Sequence, residues 1–189
     1  MGRPKALLPL GAGTVVSTVT ERVLSAGVDR LVLVLGHEAE AVRTGARLLD
    51  DPRLRIVVNE DWAEGLASSL RTGLAASEDA DALLVVLGDQ PGVDAEVIGR
   101  LLAAWRAGAR IAAVFHAGRL THPVVFDRGL FPALRLLHGD VGARAIVKTH
   151  WDEVALIEGP SLQDLDTPSD YEAFVAGGSI AKDEGLDRS

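Results

Sequence analysis

The sequence contains no cysteine and few aromatic residues, and each scarcity excludes a class of protein. Without cysteine in 189 residues, the chain has neither a disulfide framework nor a thiolate metal site, which suits a reducing cytoplasm. Aromatic residues make up 4% of the chain. That is too few for the stacking surfaces of proteins that bind single-stranded nucleic acid.

Basic charge and long apolar runs are also lacking. The chain has 19 Lys and Arg against 27 Asp and Glu, a formal net charge of −8, so nucleic acid and anionic membranes are poor partners. Its apolar runs are far shorter than the roughly 20 residues of a membrane-spanning helix, and it shows no signal-peptide pattern. A hydrophobic content of 48% predicts instead a globular, cytoplasmic protein with one core.

Short apolar strands alternate with amphipathic helices along most of the chain. This alternation predicts an α/β fold with a doubly wound, mainly parallel, Rossmann-like sheet. We assign residues 1–176 to one domain and 177–189 to a disordered tail, because the tail lacks an apolar period. The predicted strands span 30–36, 54–58, 82–87, 110–116, 123–126 and 153–157. Predicted helices begin near 14, 38, 66, 94, 130, 143 and 168, and the second of them should end near residue 49. The strands 110–116 and 123–126 should form an antiparallel hairpin.

The strongest chemical signal lies between Leu83 and Pro91. An apolar run without polar alternation predicts a strand buried on both faces. Gly88 and Pro91 end that strand and leave Asp89 at its carboxyl end, where such sheets bind ligands. A carboxylate there suits Mg²⁺, which is usually shared between one or two carboxylates and substrate phosphates. The alternative is an ordinary solvated aspartate in a turn.

Three further charged residues are candidates for the same site. Lys5 lies beside glycines in a basic segment and can pair with a triphosphate, and Arg3 can assist it. Asp166 precedes a helix that Thr167 should cap, and it is a candidate second metal ligand. Alternatively, Lys5 and Arg3 are solvated and Asp166 supports the helix cap.

The predicted helix near residue 66 is a candidate nucleotide contact. Gly65, Ser68 and Ser69 open it directly after a strand. Free backbone N–H groups and two hydroxyls can bind a base or a phosphate there. Ordinary capping by the serines is the alternative.

Six short motifs follow one another along the chain, at residues 1–10 (MGRPKALLPL), 64–70 (EGLASSL), 87–91 (LGDQP), 122–126 (HPVVF), 139–144 (GDVGAR) and 165–168 (LDTP). In this order they resemble the MobA-like nucleotidyltransferases, and most closely the molybdenum cofactor cytidylyltransferases. The resemblance implies a GT-A-like fold. It also implies transfer of CMP from CTP to the phosphate of molybdopterin, with release of pyrophosphate.

The resemblance also implies roles for individual residues. Lys5 and Asp89 would be catalytic, and Asp89 and Asp166 would hold Mg²⁺. The acceptor side would contain His122 and Arg144, and a molybdenum hydroxylase is a possible receiving partner. The nucleotide would be bound by Arg3, Lys5, Gly65, Ser68, Ser69 and Asp89.

The chain departs from the family pattern at three places. Leu66 and Ala67 stand where relatives have Met and Ser, and Thr121 replaces a Gly before His122. In relatives a strand and a glycine-rich loop precede the position of Met1, so we expect a sheet without its first, central strand. We therefore predict that the chain as written is unstable or inactive. A start site assigned too far downstream, a deliberate truncation and a real loss are the three explanations.

Two other functions remain open. One is another NTP transferase of the same fold, which makes a sugar nucleotide or transfers a guanylyl group. The other is a non-catalytic accessory protein that binds molybdopterin for a molybdenum hydroxylase. The first shares the lysine and the aspartate, whereas the second predicts pterin binding without metal-dependent turnover.

Overall fold

The computed structural model describes residues 4–160, 162 and 164–177, and it alternates strands with helices as the sequence predicts. No helix within these ranges is long and apolar enough to cross a membrane. The strands are β1 (Pro9–Leu10), β2 (Gly13–Thr14), β3 (Leu31–Leu35), β4 (Leu54–Val58), β5 (Ala82–Val85), β6 (Ile111–His116), β7 (Arg119–Asp127) and β8 (Val154–Glu158). The helices are α1 (Val15–Ser25), α2 (Ala39–Gly45), α3 (Leu66–Ala75), α4 (Ala95–Arg106), α5 (Phe131–Arg135), α6 (Arg144–Thr149) and α7 (Pro168–Gly177).

The longest sheet has the strand order β5-β7-β6-β8. Strand β7 is antiparallel to both of its neighbours, whereas β6 and β8 are parallel. The predicted hairpin is therefore confirmed, but β7 lies inside the sheet between β5 and β6. The residues from His122 to Phe126 are buried without interruption, which is typical of a central strand whose two faces are both covered by helices.

Helices cover both faces of this sheet. Ala113, Val124 and Phe126 contribute to a core with α3, α5 and α6. Ala112 and Val125 point to the opposite face and contribute to a second core with α1 and α4. The alternation follows from the two-residue period of a strand, and it confirms the two-sided α/β architecture.

Strands β3 and β4 form a separate parallel pair, in register from Leu31 opposite Leu54 to Leu35 opposite Val58. A cavity of about 400 Å³ separates β3 from β5 and is lined by both strands. The side chains of β5 are only half-buried, whereas those of β7 from His122 to Phe126 are buried. This division agrees with the expectation that the sheet lacks a central strand.

Several element boundaries differ from the prediction. Helix α2 ends at Gly45 rather than near residue 49, because Ala46 turns to an extended conformation and the following chain packs on a small core around Leu7 and Val42. The short antiparallel pair β1–β2 was not predicted. The cap of α7 is confirmed, since Thr167 Oγ1 accepts a hydrogen bond from the Asp170 N–H at 3.2 Å and the Thr167 N–H donates to Asp170 Oδ2 at 2.7 Å. The predicted tail lies outside the described residues from 178 onward.

Candidate active site

The loop after β5 meets the segment before α7. The backbone N–H of Leu165 donates to the carbonyl of Asp89 at 3.2 Å. Leu165 is fully buried and anchors this segment. Asp164 and Asp166 flank Leu165 and are exposed, so two more carboxylates lie beside the loop that carries Asp89.

The surroundings of Asp89 disfavour its negative charge. Burial raises the pKa of the Asp89 carboxyl, and the charges of Asp164 and then Asp166 raise this pKa further. The charge of Lys5 acts in the opposite direction. Three carboxylates and one ammonium group therefore converge at the end of β5, and further positive charge would relieve their repulsion.

Lys5 is held at this site by Asp166. Its Nζ lies 2.9 Å from Asp166 Oδ1, and the two side chains are 41% and 66% exposed. The chain around Lys5 forms one turn of 3-10 helix, fixed by the buried side chain of Leu7. An ion pair this exposed contributes only about 0–1 kcal/mol. Lys5 can therefore exchange Asp166 for a phosphate at little cost.

Gln90 and Asp164 belong to the site but received no role from the sequence. The Gln90 side chain is 2% exposed, and its Nε2 donates to Asp164 Oδ1 at 2.5 Å. Its Oε1 is buried without a hydrogen-bond partner among the described residues. Two sequence signals point to this pair: a polar residue directly after Asp89, and two aspartates spaced two apart, which share one side of an extended segment.

The start of α3 is held by its own hydrogen bonds. Asn59 Nδ2 donates to Ser68 Oγ at 2.8 Å and to Ser69 Oγ at 3.0 Å. Ser68 Oγ donates to the Gly65 carbonyl at 2.8 Å, and the Ala67 N–H donates to the Gly139 carbonyl at 3.0 Å. Ser68 is buried, while Ser69 is half-buried and lines the cavity between β3 and β5.

Asn59 was missed by the sequence reasoning, although a polar residue at the end of the apolar strand β4 is a usable signal. Gly65 has a positive φ of 102°, and a Cβ there would lie 2.6 Å from the Gly139 carbonyl carbon. A side chain is therefore excluded where the loop containing Gly139 and Asp140 packs on α3. The structure brings these two motifs of the sequence into contact.

His122 and Arg144 form the other side of the site. The register between β6 and β7 shifts between Ala113 and Val114, so His122 and Pro123 have no partners in the ladder. Burial, and then the charge of Arg144, lower the pKa of His122 to about 4, while the charge of Asp164 opposes them. His122 is therefore neutral near pH 7, and its Nδ1 is buried without a partner among the described residues.

Asp164 links the two halves of the site, because its charge affects both Asp89 and His122. The structure thus groups Lys5, Asp89 and Asp166 and places His122 with Arg144 nearby. Gly65, Ser68 and Ser69 form their own cluster at α3. Arg3 lies outside the described residues.

The carboxylates fit a hard divalent cation. Within the described ranges, no three His, Asp or Glu side chains are arranged to hold a metal on their own. Mg²⁺ and similar ions, however, commonly use one or two carboxylates and complete their shell with water and substrate phosphates. The raised pKa of Asp89 indicates the same need for positive charge.

An α/β sheet with carboxylates and a lysine at the carboxyl end of one strand is suited to bind a phosphate-bearing ligand together with a divalent cation. Comparison with known proteins identifies the family. The profile of the MobA-like NTP transferase domain matches residues 1–154. The chain belongs to this MobA-like NTP transferase family, and it is a nucleotidyltransferase by fold and family.

Two characterised relatives are similar over most of their length. Nicotine blue oxidoreductase from Paenarthrobacter nicotinovorans is 41% identical over 157 residues, which cover 78% of this chain and 75% of that protein. The purine catabolism protein PucB from Bacillus subtilis is 29% identical over 182 residues, which cover 91% and 88%.

A solved structure is similar over nearly the whole chain. Rv0371c from Mycobacterium tuberculosis H37Rv has a TM-score of 0.79 and 32% identity, covering 93% of this chain and 91% of that one. A second structure of Rv0371c, with a TM-score of 0.77 and 33% identity, is a complex with manganese and covers 93% of each chain. A divalent metal is thus bound by a homologue.

Proposed function

We propose that this protein transfers CMP from CTP to the phosphate of molybdopterin and releases pyrophosphate, using Mg²⁺. The observation that carries this proposal is the convergence of Lys5 and three carboxylates at the end of β5. The choice of CTP and molybdopterin rests on the motifs shared with the molybdenum cofactor cytidylyltransferases. The domain that does this would comprise residues 1–176.

The carboxylates would hold the metal. Asp89 and Asp166 are the ligands that the sequence indicates, and Asp164 is a further oxygen donor held in place by Gln90. When bound, the ion supplies positive charge that neutralises and orients the phosphates of the nucleotide. Lys5 would leave Asp166 and pair with the triphosphate as a point charge.

The reaction requires alignment more than acid–base chemistry. An oxygen of the acceptor phosphate attacks the α-phosphorus, and the bond from that phosphorus to the bridging oxygen of the β-phosphate breaks. Pyrophosphate leaves with the electron pair. Both reactants are anionic, so the cationic groups of the site lower the barrier by reducing repulsion and by holding the oxygens in line.

The acceptor would lie against His122 and Arg144. Arg144 is exposed and can bind a phosphate through two parallel N–H groups. His122 is neutral, so it adds a polar ring to the wall without further charge. Gly65, Ser68 and Ser69 would contact the nucleotide, and Ser69 is the more accessible of the two serines.

The test is pyrophosphate release from CTP with molybdopterin and Mg²⁺ or Mn²⁺. Turnover that requires the pterin, and that Asp89→Ala abolishes, supports the proposal. Thermal shifts with CTP, GTP and UTP, each with metal, rank the bases, because preferential binding to the native state raises Tm. A larger shift with GTP or UTP would point to another NTP transferase, and pterin binding without turnover would point to an accessory protein.

A second candidate follows from the 41% identity to nicotine blue oxidoreductase. Under this alternative the chain acts on nicotine blue or a related substrate rather than on a nucleoside triphosphate. The test is turnover of nicotine blue with NADH or NADPH, in parallel with the pyrophosphate assay. Nicotine blue turnover without pyrophosphate release would favour this alternative over the first.

A further inference from the structure

Trp62 is a large aromatic side chain that remains accessible after β4. It lies in the short 3-10 turn Trp62–Glu64 between β4 and α3, and it is 45% exposed. Its ring packs at a tilt on the ring of His37, with the two centroids 4.6 Å apart and the ring planes at 44°. Part of the indole is therefore covered by His37, and part of it faces solvent.

The turn that carries Trp62 is held by hydrogen bonds at both ends. Asn59 Oδ1 accepts from the Asp61 N–H at 3.1 Å, and the Gly65 N–H donates to the Trp62 carbonyl at 3.2 Å. Because the indole is already fixed in place, a ring that stacks on it costs little conformational entropy.

The end of β3 is shaped around Trp62. A Cβ on Gly36 would lie 2.7 Å from the Cβ of Trp62, so the close approach of the two segments requires a glycine. After His37, Glu38 adopts a left-handed φ of 58°. This conformation is uncommon for a residue other than glycine, and such strained residues cluster at ligand sites.

Trp62 lies at the same edge of the sheet as the proposed metal site. Strands β3 and β4 are parallel, so His37 and Trp62 both follow the carboxyl end of a strand. Arg30 directly precedes β3, Asp79 lies just before β5, and Arg30 Nη2 is 2.8 Å from Asp79 Oδ2. Strands β3 and β5 therefore begin at the same end, and Asp89 lies at the edge that carries Trp62.

Charge decides which part of a nucleotide fits on Trp62. The same turn contains the carboxylates of Glu60, Asp61 and Glu64, which repel phosphates. Lys5 and the proposed metal supply positive charge at the end of β5 instead. The triphosphate therefore belongs at β5, and the uncharged base belongs on the indole. Every base has a planar ring that can stack on an aromatic side chain.

We propose that Trp62 is the platform on which the base of the bound nucleotide stacks, with His37 holding the indole in position. This inference rests on the proposed function in requiring a nucleoside triphosphate as the ligand. It assigns the base to a ring contact that is separate from the metal ligands and from the acceptor residues.

Tryptophan fluorescence tests this proposal, with CTP and Mg²⁺ as the probe. The chain has three tryptophans. Trp151, which is 48% exposed in the turn before β8, is the matched control for Trp62. CTP should quench the fluorescence of the wild type and of Trp151→Phe, and the quenching should be lost in Trp62→Phe, because the stacked indole is absent.

Calorimetry separates the ring from the phosphates. We expect Trp62→Ala to weaken CTP binding at least about tenfold, and Trp62→Phe to weaken it at most about threefold, because an aromatic ring remains. Trp151→Ala should bind CTP like the wild type. Inorganic triphosphate with Mg²⁺ has no ring, so its affinity should be the same in the wild type and in Trp62→Ala.

Equal CTP affinity in the wild type and Trp62→Ala, or full quenching in Trp62→Phe, would overturn the proposal. An equal loss of affinity for inorganic triphosphate would also overturn it, because the substitution would then act on the fold. A loss of affinity for 6-hydroxymethylpterin rather than for CTP would overturn the choice of the base. CTP binding that is independent of Trp62 leaves the proposed function standing, whereas a wild type that binds no CTP, GTP or UTP would overturn both.

Discussion

Asp89 combines a proposed role as a metal ligand with surroundings that disfavour its negative charge. Burial and two neighbouring carboxylates raise its pKa, so the fold disfavours the ionised form that a cation requires. An acid whose pKa is raised on folding makes the protein less stable as the pH rises through the titration range of that acid. Function and stability therefore make opposite demands on this residue.

Replacing the Asp89 charge should separate these two effects. We expect Asp89→Asn to reduce metal-dependent pyrophosphate release at least about 100-fold, without lowering Tm at pH 8, because a repelled charge is removed. Steady-state kinetics and thermal unfolding measure the two quantities. Asp152→Asn, on the exposed surface, is the matched control and should change neither. Full turnover in Asp89→Asn would exclude the proposed site.

Gln90 should act by positioning Asp164. Its side chain is buried and donates to the Asp164 carboxylate. We expect Gln90→Leu to raise the Mn²⁺ concentration for half-saturation about tenfold, because Asp164 is no longer fixed in position by a hydrogen bond. A tenfold change in affinity corresponds to about 1.4 kcal/mol of binding free energy. Electron paramagnetic resonance of free Mn²⁺ measures binding without turnover. Unchanged Mn²⁺ binding in a folded Gln90→Leu variant would contradict this role.

His122 should make the stability of the protein depend on pH. Its pKa falls from 6.5 to about 4 on folding, so the unfolded chain binds more protons between these values. The neutral ring therefore contributes to the free energy of unfolding above pH 6.5, and this contribution is lost as the pH falls toward 4. The loss is at most about 3 kcal/mol.

Urea unfolding at pH 7 and pH 4.5 tests this dependence. The loss of unfolding free energy should be smaller in His122→Gln than in the wild type, since the variant has no ring to protonate. His138→Gln, at an exposed position, should follow the wild-type curve. Identical losses in His122→Gln and wild type would rule out the assigned cause.

At the scale of elements, the contact between α3 and the loop after α5 depends on a missing side chain. Gly65 adopts a φ of 102°, and an added Cβ would lie 2.5 Å from Asp140 Oδ1 and 2.6 Å from the Gly139 carbonyl carbon. The hydrogen bond from the Ala67 N–H to the Gly139 carbonyl requires the same close approach. The sequence indicates that Gly65 contacts the nucleotide, and the structure adds a packing reason for a glycine at this position.

Two glycine substitutions should have opposite effects. Gly65→Ala should destabilise the protein by about 2 kcal/mol or more, through strain at positive φ and displacement of the loop. Gly99→Ala, within α4 where a Cβ meets nothing within 4 Å, should stabilise it by about 0.5–1 kcal/mol. Chemical unfolding measures both. A neutral Gly65→Ala would show that the loop contact is not tight.

At the scale of the whole molecule, the division of the sheet should limit activity. The carboxylates that converge on Asp89 follow β5, one edge of the cavity. Half-buried strands beside a cavity open more readily than a closed sheet, and a catalytic constellation needs rigid support.

Pyrophosphate release by this chain should therefore be slow. Steady-state kinetics with CTP, molybdopterin and Mg²⁺ measure the rate, and hydrogen exchange of the backbone amides of β3 and β5 measures how readily the strands beside the cavity open. Robust turnover together with slow exchange in both strands would contradict this prediction.

The sequence determined the local features of this protein. The period of apolar residues located β4 at its observed bounds and most other elements within a few residues. Gly88 and Pro91 predicted a strand end at residue 87, whereas β5 ends at Val85. The prediction that Thr167 caps α7 is confirmed. These features depend on neighbours along the chain, which a sequence displays directly.

Only the tertiary structure decided which distant segments meet. Three examples are the position of β7 between β5 and β6, the hydrogen bond from Gln90 to Asp164, and the hydrogen bond from Asn59 to Ser68. Each joins residues that are remote along the chain or lie on different elements. Such contacts are fixed by packing the whole core at once, and no single stretch of sequence contains that information.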